Sequence, residues 1–150
     1  MSTRRKSPSA KKTTLVRGPN NRFLCRRCSI EVPIGRRTFC SDDCVHEWKL
    51  RTNPSYVRKQ LKKRDKGICA LCNLDTLALA KRLRALKKID KLAWKEKLSK
   101  LKIPAYRNSY FDADHIVPVI QGGGECGLEN YRTLCLWCHK QETAKLRSKL

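Results

Sequence analysis

The sequence predicts a small α+β fold held together by metal-binding cysteines. Eight of the nine cysteines fall into four short pairs, and short runs of period-two alternation stand beside longer runs of helical periodicity. With 150 residues and only 7% aromatics, the chain has room for one domain, or a small domain with an appendage, and needs a staple.

The pairs are Cys25–Cys28, Cys40–Cys44, Cys69–Cys72 and Cys135–Cys138. A gap of two or three residues lets both thiolates of a pair face one tetrahedral ion, and two pairs close a structural zinc site. Two structural Zn2+ ions are therefore expected. The preferred pairing puts Cys25, Cys28, Cys40 and Cys44 on one ion and Cys69, Cys72, Cys135 and Cys138 on the other, because sequence neighbours close smaller loops. Cys126, in a glycine-rich run, reads as an incidental loop thiol. Nine cysteines without an export signal argue for metal over disulfides and for an intracellular protein, nuclear if eukaryotic and cytoplasmic if bacterial.

Charge narrows the partner. Lys+Arg number 35 against 13 Asp+Glu, a net charge of +22, and self-repulsion of that size points to a polyanion rather than to solubility alone. No long apolar span calls for a membrane, and no pattern calls for a small-molecule substrate.

Residues 1–22 carry seven Lys/Arg and no acid, which predicts a disordered basic arm. Residues 23–66 read as a four-cysteine zinc module with a linking helix. Between its cysteine pairs a short hairpin is expected over 30–39, with Gly35 at the turn. Ser41 then caps a helix that opens on Asp42 and Asp43, a treble-clef-like order. Asn53-Pro54 restarts a helix with Tyr56, Val57 and Leu61 on its apolar side, and Gly67 ends it. His46, alone on its helix, reads as a packing or surface residue.

Residues 67–150 form the second predicted domain, with a helical insertion at about 74–102. Leu79, Leu83, Leu86 and Ile89 recur at helical spacing, as do Trp94, Leu98 and Leu101, and Asp90 can cap a second helix to make a helical hairpin. Ten basic and two acidic residues lie between Lys81 and Lys102. They fit either a solvated face or an arm that contacts phosphates.

The chemistry concentrates after residue 110. Alternation from Phe111 to Val117 predicts a strand, Tyr131 to Leu134 its partner, and Leu136 to about Ser148 a helix. A hairpin crossed by a helix would gather Asp114, His115 and His139. Histidine suits deprotonation of water because its reference pKa, about 6.5, lies near neutral pH. One carboxylate and one imidazole can hold a cation while leaving positions open for water and a phosphate oxygen. His115 is thus the candidate base, and Asp114 and His139 are the candidate ligands of a catalytic divalent cation, Mg2+ or Mn2+. Arg132, Lys140, Lys145 and Arg147 flank this site as candidate phosphate contacts.

The ordered set Asp114-His115, Asn130 and His139, framed by one cysteine pair before it and one within it, resembles the ββα-metal motif of HNH nucleases in their zinc-bracketed branch. Arg37-Thr38-Phe39-Cys40-Ser41, Cys44-Val45-His46-Glu47-Trp48 and Arg64-Asp65-Lys66-Gly67-Ile68-Cys69 extend the likeness to stand-alone HNH endonucleases and to the C-terminal nuclease domains of annealing helicases that carry a Ran-binding-type zinc finger. The resemblance spans roughly residues 23–73 and 109–145. It implies a treble-clef-like zinc module followed by an HNH motif, and a DNA endonuclease that leaves 5′-phosphate and 3′-hydroxyl ends, acting on DNA that can be branched or single-stranded. It also implies that Asn130 ties its loop to the histidine strand and aims the base, although in some members this residue ligates the metal. The competing class is a noncatalytic zinc-stabilised DNA- or RNA-binding module.

Overall fold

The structure is a computed structural model that describes residues 15–149. The chain divides into two compact units, with the division between Trp48 and Lys49. No described helix is long and apolar enough to cross a membrane.

In the first unit the backbone between the cysteine pairs is turn and bend. Cys25 N–H donates to Ile30 O (2.8 Å), Val32 N–H to Phe23 O (2.8 Å) and Arg26 N–H to Thr38 O (3.1 Å). The hairpin expected over 30–39 is therefore replaced by pairing of 23–26 with 30–32 and Thr38. Gly35 does sit at a turn, with φ +86. Residues 1–14 of the expected basic arm lie outside the described residues. In the described part of that segment Arg17 bridges to Phe23, and Asn20 donates to both oxygens of Glu31 at 2.7 Å.

Helix α1 (Asp42–Thr52) starts where Ser41 Oγ accepts from Cys44 N–H at 3.1 Å, with two acids in its first turn. Helix α2 (Pro54–Asp65) is capped by Asn53, whose Oδ1 accepts from Tyr56 N–H at 3.0 Å, and it ends on left-handed Lys66. Helix α2, the expected linking helix, falls in the second unit and packs on the hairpin described next. Arg64 fixes that docking by donating to Leu128 O (2.8 Å) and Tyr131 O (2.7 Å).

The insertion is a helical hairpin, α3 (Thr76–Ile89) and α4 (Lys91–Lys100). Asp75 and Asp90 cap the two helices, each carboxylate accepting from two backbone N–H groups. Leu83, Trp94 and Leu98 bury between them together with Ile103 and Tyr110, and Trp137 Nε1 donates to Leu101 O at 3.0 Å. Strands β1 (Phe111–His115) and β2 (Tyr131–Cys135) pair antiparallel, Asp114 opposite Arg132 and His115 opposite Tyr131. Helix α5 (Leu136–Arg147) follows β2 directly.

Candidate active site and metal centres

Side chains alternate along β1, so Asp112 and Asp114 share one face while Ala113 and His115 share the other. Helix α5 crosses the aspartate face. His139 Nε2 stands 3.8 Å from Asp114 Oδ1, and its Nδ1 stands 3.4 Å from Asp112 Oδ2. Asp112 is only 8% exposed, and Arg58 (3.3 Å) and Arg107 also reach its carboxylate. A carboxylate beside Nδ1 fixes the imidazole and leaves Nε2 for a cation.

On the other face His115 lies against the ring of Tyr131, centroids 4.3 Å apart. Burial, with Cys126 beside it, pushes the Tyr131 phenol up, which keeps that ring neutral under the imidazole. Asp114, His115 and His139 together line one cleft of 540 Å³, with Ile116, Val119 and Ile120 among its apolar lining and Lys145 and Lys149 among its cations.

Asn130 spends its side chain on the loop after β1. Its Oδ1 accepts from Val117 N–H at 2.8 Å, and its Nδ2 donates to Val117 O (3.1 Å) and Gly123 O (2.9 Å). Its own carbonyl accepts from Ile116 N–H at 2.8 Å. The loop leaves no room for a side chain at Gly123, where a Cβ would stand 1.7 Å from Val117 O.

The eight paired cysteines form two quartets, Cys25, Cys28, Cys40, Cys44 and Cys69, Cys72, Cys135, Cys138, each with its sulfurs within 4.8 Å of one another. Tetrahedral Zn–S bonds of about 2.3 Å place sulfurs about 3.8 Å apart. The Cys28–Cys40, Cys40–Cys44, Cys28–Cys44 and Cys72–Cys135 separations of 3.5, 3.4, 3.8 and 3.7 Å fit that requirement. In each quartet one thiol is poised to ionise. Burial opposes it, but backbone N–H groups outweigh burial and lower Cys25 and Cys69 to about 6. Cys40 and Cys138 move the other way: hydrogen bonds with Cys44 and Cys28 push Cys40 up to about 12, and burial pushes Cys138 up. His46 and Cys126 lie outside both quartets.

The structure thus gathers Asp114, His115 and His139, and places Asn130 at the loop beside them. Of the candidate phosphate contacts, Lys145 lines the cleft, whereas Lys140 and Arg147 do not. Arg132 lines it too, but its guanidinium is occupied by Asp114 (2.8 Å) and Glu142 (3.0 Å). Sequence reasoning missed Asp112, Glu142 and Lys149. The period of two could have flagged Asp112, which shares the Asp114 face, and Glu142 follows His139 by one helical turn.

A two-strand hairpin crossed by a helix, clamped by four thiols and presenting a carboxylate and two imidazoles in one cleft, defines a ββα-metal nuclease fold. Residues 99–145 match the HNH endonuclease family. The chain is 38% identical over 117 residues to the Homo sapiens DNA annealing helicase and endonuclease ZRANB3, and 37% identical over 144 residues to that of Mus musculus; these matches take in 71% and 83% of this chain. They span only 11% and 13% of those much longer relatives. The crystal structure of the human ZRANB3 HNH domain superposes with a TM-score of 0.50 at 36% identity, covering 65% of this chain and 95% of that one. The chain belongs to the HNH endonuclease family.

Proposed function

We propose that this protein is a metal-dependent DNA endonuclease in which His115 deprotonates the attacking water and Asp114 and His139 hold the divalent cation. The observation that carries this reading is the 3.8 Å approach of His139 Nε2 to Asp114 Oδ1 inside the cleft that His115 also lines. At that separation the carboxylate and the imidazole are close enough for both to hold one cation after a small side-chain rotation. An oxygen-and-imidazole donor set with room for waters suits Mg2+ or Mn2+. When bound, such an ion stabilises charge on the phosphoryl and leaving oxygens.

The chain's own residues do the rest. Asp112 holds the His139 ring, Tyr131 supports the His115 ring, and Lys145 and Lys149 offer cations to the phosphate backbone. Asn130 orients rather than ligates, because both its N–H groups and its oxygen are committed to the loop.

The test is cleavage of supercoiled plasmid with Mg2+ or Mn2+. Wild type should nick it. His115→Ala should retain DNA binding and zinc but lose about 10²–10⁴-fold in rate, with no recovery at higher metal. Asp114→Asn and His139→Ala should recover part of their activity as Mn2+ rises. If wild type binds DNA without ever cutting it, the chain is a zinc-stabilised binding module instead.

A further inference from the structure

We propose that Arg132 is an internal lock on the cation site, one that keeps metal affinity low until a DNA phosphate draws its guanidinium away. The inference rests on the reading of Asp114 as a metal ligand and extends it to how substrate and cation come to bind together.

Arg132 faces Asp114 across the hairpin, so the two side chains leave the same side of the sheet. Arg132 Nε donates to Asp114 Oδ2 at 2.8 Å, and Nη2 donates to Glu142 Oε2 at 3.0 Å. Glu142 in turn accepts from Lys145 Nζ at 2.9 Å. These groups are largely withdrawn from water: the side chains of Asp114, Arg132 and Glu142 are 16%, 23% and 25% exposed. Only Asp114 Oδ1 faces His139.

A permanent positive charge therefore rests on the second oxygen of the carboxylate that must attract a divalent cation. In a partly desolvated cleft that repulsion is weakly screened. Asp114 and Glu142 together cannot neutralise both Arg132 and a dication. Arg132 nevertheless lines the cleft that would receive the scissile strand, and the two non-bridging oxygens of a tetrahedral phosphodiester can accept a guanidinium bidentately, as a carboxylate does. A phosphate seated there would draw off part of the guanidinium's hydrogen bonding and release Asp114 to the ion. Linkage makes the effect reciprocal, so the cation tightens DNA by the factor by which DNA tightens the cation. Such a device would limit hydrolysis to occasions when substrate is already seated.

An ordinary structural ion pair tying β1 to α5 predicts the opposite sign, because without Arg132 the Asp114 carboxylate would be less ordered and metal would bind more weakly. The experiment measures Mn2+ affinity of the zinc-loaded full chain by electron paramagnetic resonance of free Mn2+. It is run with and without a short DNA duplex, in a His115→Ala background that keeps the DNA intact. Arg132→Gln should bind Mn2+ about tenfold more tightly than the parent without DNA, and should gain less than the parent does when DNA is added. The parent should gain about tenfold on adding DNA. Arg132→Lys, which keeps the charge, should stay as weak as the parent. Mn2+ binding in Arg132→Gln that is unchanged or weaker overturns the lock. So does a parent whose Mn2+ affinity ignores DNA, a measurement that stands even if Arg132→Gln does not fold. Asp114→Asn in the same background separates the two readings: if it binds Mn2+ as the parent does, the assignment of Asp114 as a ligand fails, whatever Arg132 does.

Discussion

The two cysteine quartets have the same ligands and opposite surroundings. Each quartet has one exposed cysteine, Cys28 or Cys72, but around the first, among the described residues up to Trp48, only Cys25 and Val32 are buried. Around the second, Cys69, Cys135 and Cys138 are 0%, 1% and 8% exposed and pack with Leu134, Leu74 and Trp137. Two further apolar clusters, one within α3–α4 and one between α2 and the hairpin, belong to the same unit. A unit with almost no apolar interior would draw its folding free energy from a bound metal. In the second unit a metal would clamp a core that already exists. The clamp also sits where the chemistry begins: Cys135 ends β2 and caps α5, its sulfur accepting from Cys138 N–H at 3.5 Å, and His139 is the next residue.

That contrast predicts unequal consequences for the same substitution. Cys138→Ser removes a ligand and frees the first turn of α5, so His139 loses its place against Asp112 and Asp114. Cleavage should fall below detection along with one of two bound zinc ions. Cys28→Ser should also cost one zinc ion and should melt the first unit, yet leave plasmid nicking within a few-fold of wild type. Zinc content, circular dichroism and nicking of the two variants check this. Equal losses of cleavage would mean that the first quartet supports the active site directly.

Chelator and acid should separate the quartets differently. With little core behind it, the first site should surrender its ion at lower chelator concentration, while the helical signal of the second unit persists. Acid should not discriminate. Cys25 and Cys69 are both lowered from an ordinary 9.0 to about 6. A group lowered on folding contributes stability that is fully present above its unfolded value and is lost as pH falls through its folded value. Because the same thiol shift occurs in each quartet, both sites should weaken together as falling pH protonates their thiolates. Zinc release followed with a colorimetric indicator would show two steps with chelator and one with acid.

What the sequence makes legible here is what local chemistry decides. Cysteine spacing predicts both quartets, and Ser41, Asn53 and Asp90 cap the helices they are expected to cap, because a cap needs only its own first turn. The gathering of Asp114, His115 and His139 was readable from a strand, a partner strand and a helix in that order. The partners of those residues were not. Whether Asp112 supports His139, and whether Arg132 meets phosphate or Asp114, depends on where α5 crosses the hairpin, which no local pattern encodes. The segment 30–39 misled for a similar reason. Its Pro33 carbonyl accepts from Arg36 N–H in a tight turn, while its strand-like pairing goes back to residues 23–26. The division of the chain falls between Trp48 and Lys49 rather than after residue 66, and the apolar face of α2 packs on the hairpin, a long-range contact that no local pattern encodes.

The smallest expected effect concerns what the second unit keeps when its metal is gone. Thr133 is fully buried beside Cys135, and its backbone carbonyl accepts from Ala70 N–H at 2.9 Å, tying the loop that carries Cys69 and Cys72 to β2. Its hydroxyl donates to Asp65 Oδ2 at 2.7 Å, and Asp65 also receives the Arg64 guanidinium at 2.6 Å. This link joins the end of α2 to the strand that leads into the second quartet, and it needs no ion. Thr133→Val keeps the shape but leaves a partly buried carboxylate oxygen of Asp65 with one donor fewer, which should cost about 1 kcal/mol. That cost should be visible in urea unfolding of both the zinc-loaded and the chelated protein, whereas a link that served only the metal would vanish on chelation. Its pH dependence has a definite sign. Burial pushes the Asp65 carboxyl up, but Arg64 and Thr133 hold it below the ordinary value of 3.8. Its contribution is therefore complete above that ordinary value and disappears as pH falls through the lowered one. The gap between Thr133→Val and wild type should stay constant from neutral pH down to about 4 and close below it. A gap that closes already near pH 6, together with zinc loss, would mean that the quartet and not Asp65 is the partner through which Thr133 acts.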